Sequence, residues 1–264
     1  MWLAWTLIAC LGFGAGAAME KHGVASRLPD LTLRTIFRDW RRILRAMATN
    51  WLWLLGIAVN LAGGVFLILA IDEGEISVIQ PLVNANVVVA MLAGVVVLRE
   101  RLSVLEWAGA AVLLGGAALV SSSATGAAPG VAGVAIAMDD ARVAWVSAAF
   151  VAGAVGLLVA GRLASRRMSA EPFLAVSSGL LYGLGTVWLK VVMVHLGGAD
   201  NRPFWDTVAA ACREWALWAL IAANVAGFVL QQVAFSRGRV ALVAPMLTIA
   251  SGLPPVVADR KSVV

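Results

Sequence analysis

Charged side chains are scarce: 13% of the 264 residues are Asp, Glu, Lys or Arg, where an ordinary globular domain carries about a quarter. Tyrosine occurs once, histidine twice and cysteine twice. Cys10 and Cys212 are too few and too far apart in sequence for a disulfide framework or a metal cluster. No nucleophile–His–acid grouping, phosphate loop or metal-ligand spacing is present, so neither an enzyme nor a resident cofactor is expected. "LIAC" at 7–10 has the look of a lipoprotein box. No basic residue precedes it, and its apolar run continues to Ala18, which argues against a processed leader.

What the chain does have is apolar length: 61% of its residues are hydrophobic. Runs of about 20 apolar residues suffice to cross a bilayer's hydrocarbon core. Such runs recur at roughly 2–18, 51–71, 76–98, 104–121, 143–161, 172–195, 215–235 and 240–258. They are solid rather than alternating, which excludes a transmembrane barrel. The expected fold class is all-α, a polytopic transmembrane helical bundle of about eight spans.

Between the first two spans, "LTLRTIFRDWRRILRAM" (31–47) sets Leu33, Ile36, Phe37, Trp40, Ile43, Leu44 and Met47 on one helical face and arginines on the other. A helix of this kind lies in the headgroup layer, although a peptide-partner site has the same pattern. Lys and Arg total 14 in the loops 19–49, 99–106, 161–171 and 236–239, but 3 in the intervening loops 72–75, 122–142 and 197–214. Positive charge stays on the cytoplasmic side, so the N-terminus is expected outside and loop 19–49 in the cytoplasm, held by anionic lipid. This distribution makes the net charge of +5 a determinant of topology, and no nucleic-acid partner is expected.

The chain also matches itself. At an offset of 164, "NWLWLLGIAVNLAGGVFLILAIDEG" (50–74) aligns without a gap on "EWALWALIAANVAGFVLQQVAFSRG" (214–238). Trp51 meets Trp215, Asn60 meets Asn224, Gly63 meets Gly227, and further on Pro81 meets Pro245. A related match pairs "LGFGAGAAMEK" (11–21) with "LLYGLGTVWLK" (180–190), bringing Phe13 onto Tyr182, Gly14 and Gly16 onto Gly183 and Gly185, and Lys21 onto Lys190. Five spans per copy is an odd number, so the copies are expected to cross the membrane in opposite directions. Inverted repeats of this kind are the architecture of secondary transporters, with the substrate near the midplane between the halves.

"ISVIQPLVNANVVVAMLAGVVVLRERLSVLEWAGAAVLLGGAALV" (76–120) resembles the third and fourth helices of the drug/metabolite transporter superfamily, EamA-like branch. The resemblance rests on the early proline, on Leu98, Glu100 and Leu102 in an "L-x-E-x-L" pattern, and on the glycine-rich helix that follows. "GAAMEKHG" (16–23) and "NLAGGVFLILA" (60–70) look more particularly like NIPA-type magnesium transporters and their bacterial relatives. The resemblance implies ten helices in two five-helix repeats. The expected division is a first repeat over 1–161, a second and incomplete repeat over 162–258, and a non-native tail, "DRKSVV", at 259–264.

Candidate solute contacts are the polar residues set in apolar helices. Gln80 and Asn84 share a helical face, with Asn86 turned about 160° from Asn84. Ser178, Tyr182 and Thr186 lie on neighbouring faces of "SSGLLYGLGTVWLK" (177–190), and Gln231 and Gln232 have no counterpart in the first copy. Asn60, Asn224, Pro81, Pro245, Trp51, Trp215, Gly183 and Gly185 read as structural or repeat-paired. Glu100, between Arg99 and Arg101, is expected to fix its turn by ion pairing or capping. Lys190 and His195 are expected near an interface. No carboxylate is expected deep inside a span, which weakens proton-coupled and magnesium readings.

The expected function is therefore inner-membrane transport of small solutes (amino acids, metabolites or drug-like amphiphiles) by alternating access. A NIPA-type magnesium transporter and a non-transporting scaffold or flippase subunit are the alternatives. The expected partners are a small-molecule solute and the lipid bilayer, with a homodimer as a compatible assembly.

Overall fold

The structure is a computed structural model that describes residues 1–28, 31–73, 79, 82–97, 99–123, 140–164, 169–196 and 204–259. Gln80, Pro81, residues 260–264 and the side chains of Lys190 and His195 lie outside the described residues. Every regular element among the described residues is a helix: α1 Trp2–Arg27, α2 Leu33–Ala48, α3 Trp51–Glu73, α4 Asn86–Val96, α5 Val104–Ser123, α6 Asp140–Ala164, α7 Glu171–Leu196, α8 Phe204–Arg213, α9 Trp215–Arg237 and α10 Val240–Asp259.

Among the described residues, five stretches are long and apolar enough to cross a bilayer: Trp2–Arg27, Trp51–Ala70, Val143–Ala164, Glu171–Leu189 and Trp215–Ser236. Large apolar side chains stay exposed along them, for example Leu3, Leu7 and Leu11 on α1 and Leu61, Val65 and Ile68 on α3. In water such a surface would drive association; in hydrocarbon it is the correct solvent contact. This is a multi-pass membrane protein.

Two departures from the sequence pattern matter for the site. Where the span 76–98 was expected to run unbroken, Asn84 and Ala85 form a turn and α4 begins only at Asn86. Asn84 is exposed there, and its carbonyl accepts the Val87 N–H at 3.2 Å, a tightened turn leading into α4. The first apolar run was expected to end at Ala18, yet α1 continues to Arg27. Helix formation needs no apolar side chain, and no proline intervenes before Pro29. Glu20 and Lys21 are thereby placed on the helix and buried. The expectation that no carboxylate lies inside a span is corrected by Glu20.

The chain divides into two compact units. The first contains Met1–Val131 and Gln232–Pro245, and the second contains Ala132–Gln231 and Met246–Val264. The boundary falls inside α9, between its two adjacent glutamines, and again inside α10. In the first unit α1 packs on α3 and α4, with Val87, Met91, Ala110 and Ala241 forming one apolar cluster. In the second, α6 packs on α7, and Leu184, Val187, Trp188 and Val191 close on Val143 and Ala216. Trp215 meets Trp188 edge-on at 4.8 Å, whereas Trp51 is 69% exposed.

α2 starts from a capping box: the Thr35 N–H donates to Thr32 Oγ1 at 3.1 Å, and the Thr32 N–H donates to Thr35 Oγ1 at 2.9 Å. The helix is kinked at Asp39, whose backbone leaves the helical region (φ −122°, ψ 32°). Arg34, Arg38, Arg41, Arg42 and Arg45 are exposed, as are Trp40 and Leu44, while Ile43 is buried.

Candidate functional site: a buried carboxylate held by two amides

In the first unit, α1 and α3 approach closely because Gly16 and Gly56 face each other. A methyl group built on Gly16 would sit 2.9 Å from the Gly56 carbonyl oxygen and 3.2 Å from Asn60 Cβ. This approach brings Asn60 to Glu20. Asn60 Nδ2 donates to Glu20 Oε1 at 2.9 Å, and Gln232 Nε2 donates to Glu20 Oε2 at 2.9 Å. Trp53 Nε1 in turn donates to Gln232 Oε1 at 3.2 Å. An indole nitrogen can only donate, so it fixes which end of the Gln232 amide faces the carboxylate. Glu20 and Gln232 are 1% and 2% exposed.

A second cluster lies next to it. Arg99 adopts a left-handed conformation (φ 55°), which turns the chain sharply after α4 and aims Glu100 back inward. Glu100 pairs with Lys21, and its carboxylate accepts the Val240 and Ala241 N–H groups at 3.1 and 3.3 Å. Glu100 therefore caps the N-terminus of α10, where free N–H groups and the helix dipole favour an anion. Its ion-pair partner is Lys21, not either neighbouring arginine. The adjoining turn is tied by Arg239, which bonds Glu106 at 2.6 Å and the Arg101 carbonyl at 2.9 Å. Lys21 is thus committed to Glu100, and among the described residues Glu20 accepts only from neutral donors.

The second unit repeats the helix contact without the carboxylate. Asn224 lies against Gly185 as Asn60 lies against Gly16. Gly227 faces the Ser178 carbonyl and the Tyr182 ring as Gly63 faces the Ala9 carbonyl and the Phe13 ring. The position matching Glu20, however, is Leu189, and Asn224 Nδ2 turns back to the Leu220 carbonyl of its own helix at 2.9 Å. Beside it is a cavity of about 370 Å³ lined by Gly185, Thr186, Leu189, Leu220, Ile221, Asn224 and Val225.

The sequence candidates are thus distributed over several places. Ser178 is buried and donates to the Gly227 carbonyl at 2.7 Å; Tyr182 donates to Gln231 Oε1 at 2.7 Å. Thr186 is exposed and donates to the Tyr182 carbonyl at 3.3 Å. Gly183 faces the Ser251 carbonyl and Pro254, and Pro245 is half-buried within α10. The two glutamines serve different units: Gln231 joins Tyr182, and Gln232 joins Glu20 and Trp53. Sequence reasoning missed Glu20. The available signal was the same one that singled out Gln231 and Gln232, a polar residue in one copy of the repeat facing an apolar residue in the other.

The fold and this carboxylate–amide cluster define a helical multi-pass membrane protein with a polar site on its spans. Over 121 residues the chain is 31% identical to the probable 4-amino-4-deoxy-L-arabinose-phosphoundecaprenol flippase subunit ArnE of Pseudomonas fluorescens (strain Pf0-1), a match covering 46% of this chain and 95% of that protein. Over 111 residues it is 29% identical to the probable magnesium transporter NIPA9 of Arabidopsis thaliana, covering 41% of this chain and 30% of that protein. No family model and no solved structure matches. The chain belongs to the family of the ArnE flippase subunit.

Proposed function

We propose that the protein is a carrier, not an enzyme, that moves small polar solutes across a bacterial cytoplasmic membrane, with Glu20, Asn60 and Gln232 as its polar site. The observation that carries this reading is a carboxylate buried on a membrane-spanning helix and held by amides from two other helices. Such a group is expensive in lipid and marks a functional path by default. A carboxyl group at this place suits solutes bearing an amino group, among them amino acids and amphiphilic amines. The matching Gly–Asn and Gly–aromatic contacts in the two units support a repeated architecture, which suits alternating access between inverted halves. The charge asymmetry of the loops supports an outside N-terminus and a cytoplasmic 19–49 segment.

A flippase-subunit role is the second reading. It is favoured by the 95% coverage of the ArnE relative, whose name also specifies an amino-bearing cargo. Magnesium transport, suggested by the NIPA relative, draws less support. Mg²⁺ binds through oxygen ligands, whereas Asn60 and Gln232 turn N–H groups, not carbonyl oxygens, towards Glu20.

Uptake of labelled amino acids, set beside labelled magnesium, in proteoliposomes separates these readings. Glu20→Gln should lower amino-acid flux by roughly 100-fold, the equivalent of losing about 3 kcal/mol of charged hydrogen bonding. Unchanged flux in that variant would retire the site.

A further inference from the structure

α2 is joined to both sides of the Glu20 site. Ahead of it, buried Leu31 presents its carbonyl to Ser236 Oγ at 3.4 Å, a hydroxyl that also bonds the Val233 carbonyl at 2.8 Å. Ser236 is one helical turn beyond Gln232 on α9. Behind it, buried Asn50 donates from Nδ2 to the Gly23 carbonyl at 2.6 Å, and its Oδ1 accepts the Trp53 N–H at 3.3 Å. Gly23 lies three residues after Glu20, and Trp53 is the residue that orients Gln232. The two attachments therefore flank the Glu20–Gln232 hydrogen bond, one on each of the helices that bond connects.

The exposed side of α2 carries five arginines and one carboxylate, Asp39. On its apolar face Trp40 and Leu44 are also exposed, at 52% and 56%. Short links hold the helix to α1 and α3, both of which cross the bilayer. The helix is thus tethered at both ends to spans, which keeps it close to the membrane on that side. An acidic protein partner would match the arginines, but it would leave the exposed Trp40 and Leu44 unused.

We infer that α2 is a strap whose ligand is the phosphate-bearing headgroups of anionic lipid, and that lipid bound there stiffens the Glu20–Gln232 contact through Leu31 and Asn50. This rests on the Glu20 cluster being the transport site, but its test needs no solute. Arginine is suited to the role because its planar fork grips phosphate oxygens bidentately. Electrostatic attraction to such a surface decays within a Debye length, so salt weakens it.

The test uses the full chain in vesicles of phosphatidylcholine alone or mixed with phosphatidylglycerol. Leu44→Cys in a Cys212→Ser background, labelled with an environment-sensitive dye, reports the seating of α2. Hydrogen exchange at 22–25 and 232–237 reports the site. Phosphatidylglycerol should shift the dye emission to the blue and slow exchange at both segments by about fivefold, the protection expected from one firm hydrogen bond. Arg38→Gln/Arg41→Gln/Arg42→Gln, at exposed positions, should lose both responses, and high salt should reduce them. Asn50→Ala should keep the dye response and lose the exchange response at 22–25. Identical emission in the two lipids would overturn lipid binding, and a dye shift without any exchange response would overturn the coupling. Loss of solute flux with both lipid responses intact would instead count against the carrier reading alone.

Discussion

The α1/α3 pair and the α7/α9 pair are built on the same contacts but equipped differently. In each, a glycine on the first helix admits an asparagine from the second, and an aromatic ring one turn away covers a second glycine. The first pair carries Glu20, and its asparagine reaches across to that carboxylate. The second carries Leu189, and its asparagine folds back on its own backbone. The comparison separates packing from polar content: glycines set the approach in both pairs, and a buried carboxylate is present in one of them.

The largest expected effect comes from removing the charge that holds the first unit's adjacent cluster. Glu100→Gln leaves Lys21 buried beside a neutral amide and weakens the cap on α10. A loss of about 3–5 kcal/mol is expected, as for other buried pairs broken on one side, and thermal unfolding in detergent measures it. A shift of less than about 1 kcal/mol would show that the pair is not a structural fixture.

Closing the glycine approach tests whether the two pairs are equivalent. Gly16→Ala and Gly185→Ala each put a methyl where a neighbour already sits, and each should cost about 1–3 kcal/mol. If only one variant is destabilised, the shared packing is incidental. The smallest effect on folding, and the sharpest on the comparison, belongs to the asparagines. Asn60→Leu removes a donor to Glu20 and should reduce flux about tenfold, whereas Asn224→Leu should leave flux within about twofold of normal. Equal losses in both would mean that the second asparagine has a role its local bond does not reveal.

Much of this fold is written in apolar length. Spans such as 51–71 and 215–235 read directly from hydropathy, because a bilayer imposes one requirement on every residue of a run. The repeat was legible through Asn60, Asn224 and their glycines, since small and polar residues are rare enough in such helices for a constant offset to register. Glu20 was not legible, because an unbroken apolar run stops at the first charged pair, Glu20 and Lys21, whereas the helix and its burial continue through Val24 to Arg27. The tightened turn at Asn84 was hidden for a related reason: apolar length does not distinguish i→i+3 from i→i+4 bonding. The division of labour between Gln231 and Gln232 followed in part from the 100° between neighbours, but which neighbour each would meet depended on packing.

Trp53 imposes a narrow vocabulary on position 232. Methionine would match glutamine in length but would give the carboxylate no proton, and glutamate would set two acids face to face beneath an indole that can satisfy only one oxygen. Only a side chain that receives at one end and gives at the other completes the line from ring to acid. Any drift at this position in a natural variant would therefore be expected to bring a compensating change at Trp53 or Glu20, so that the three residues evolve as one word.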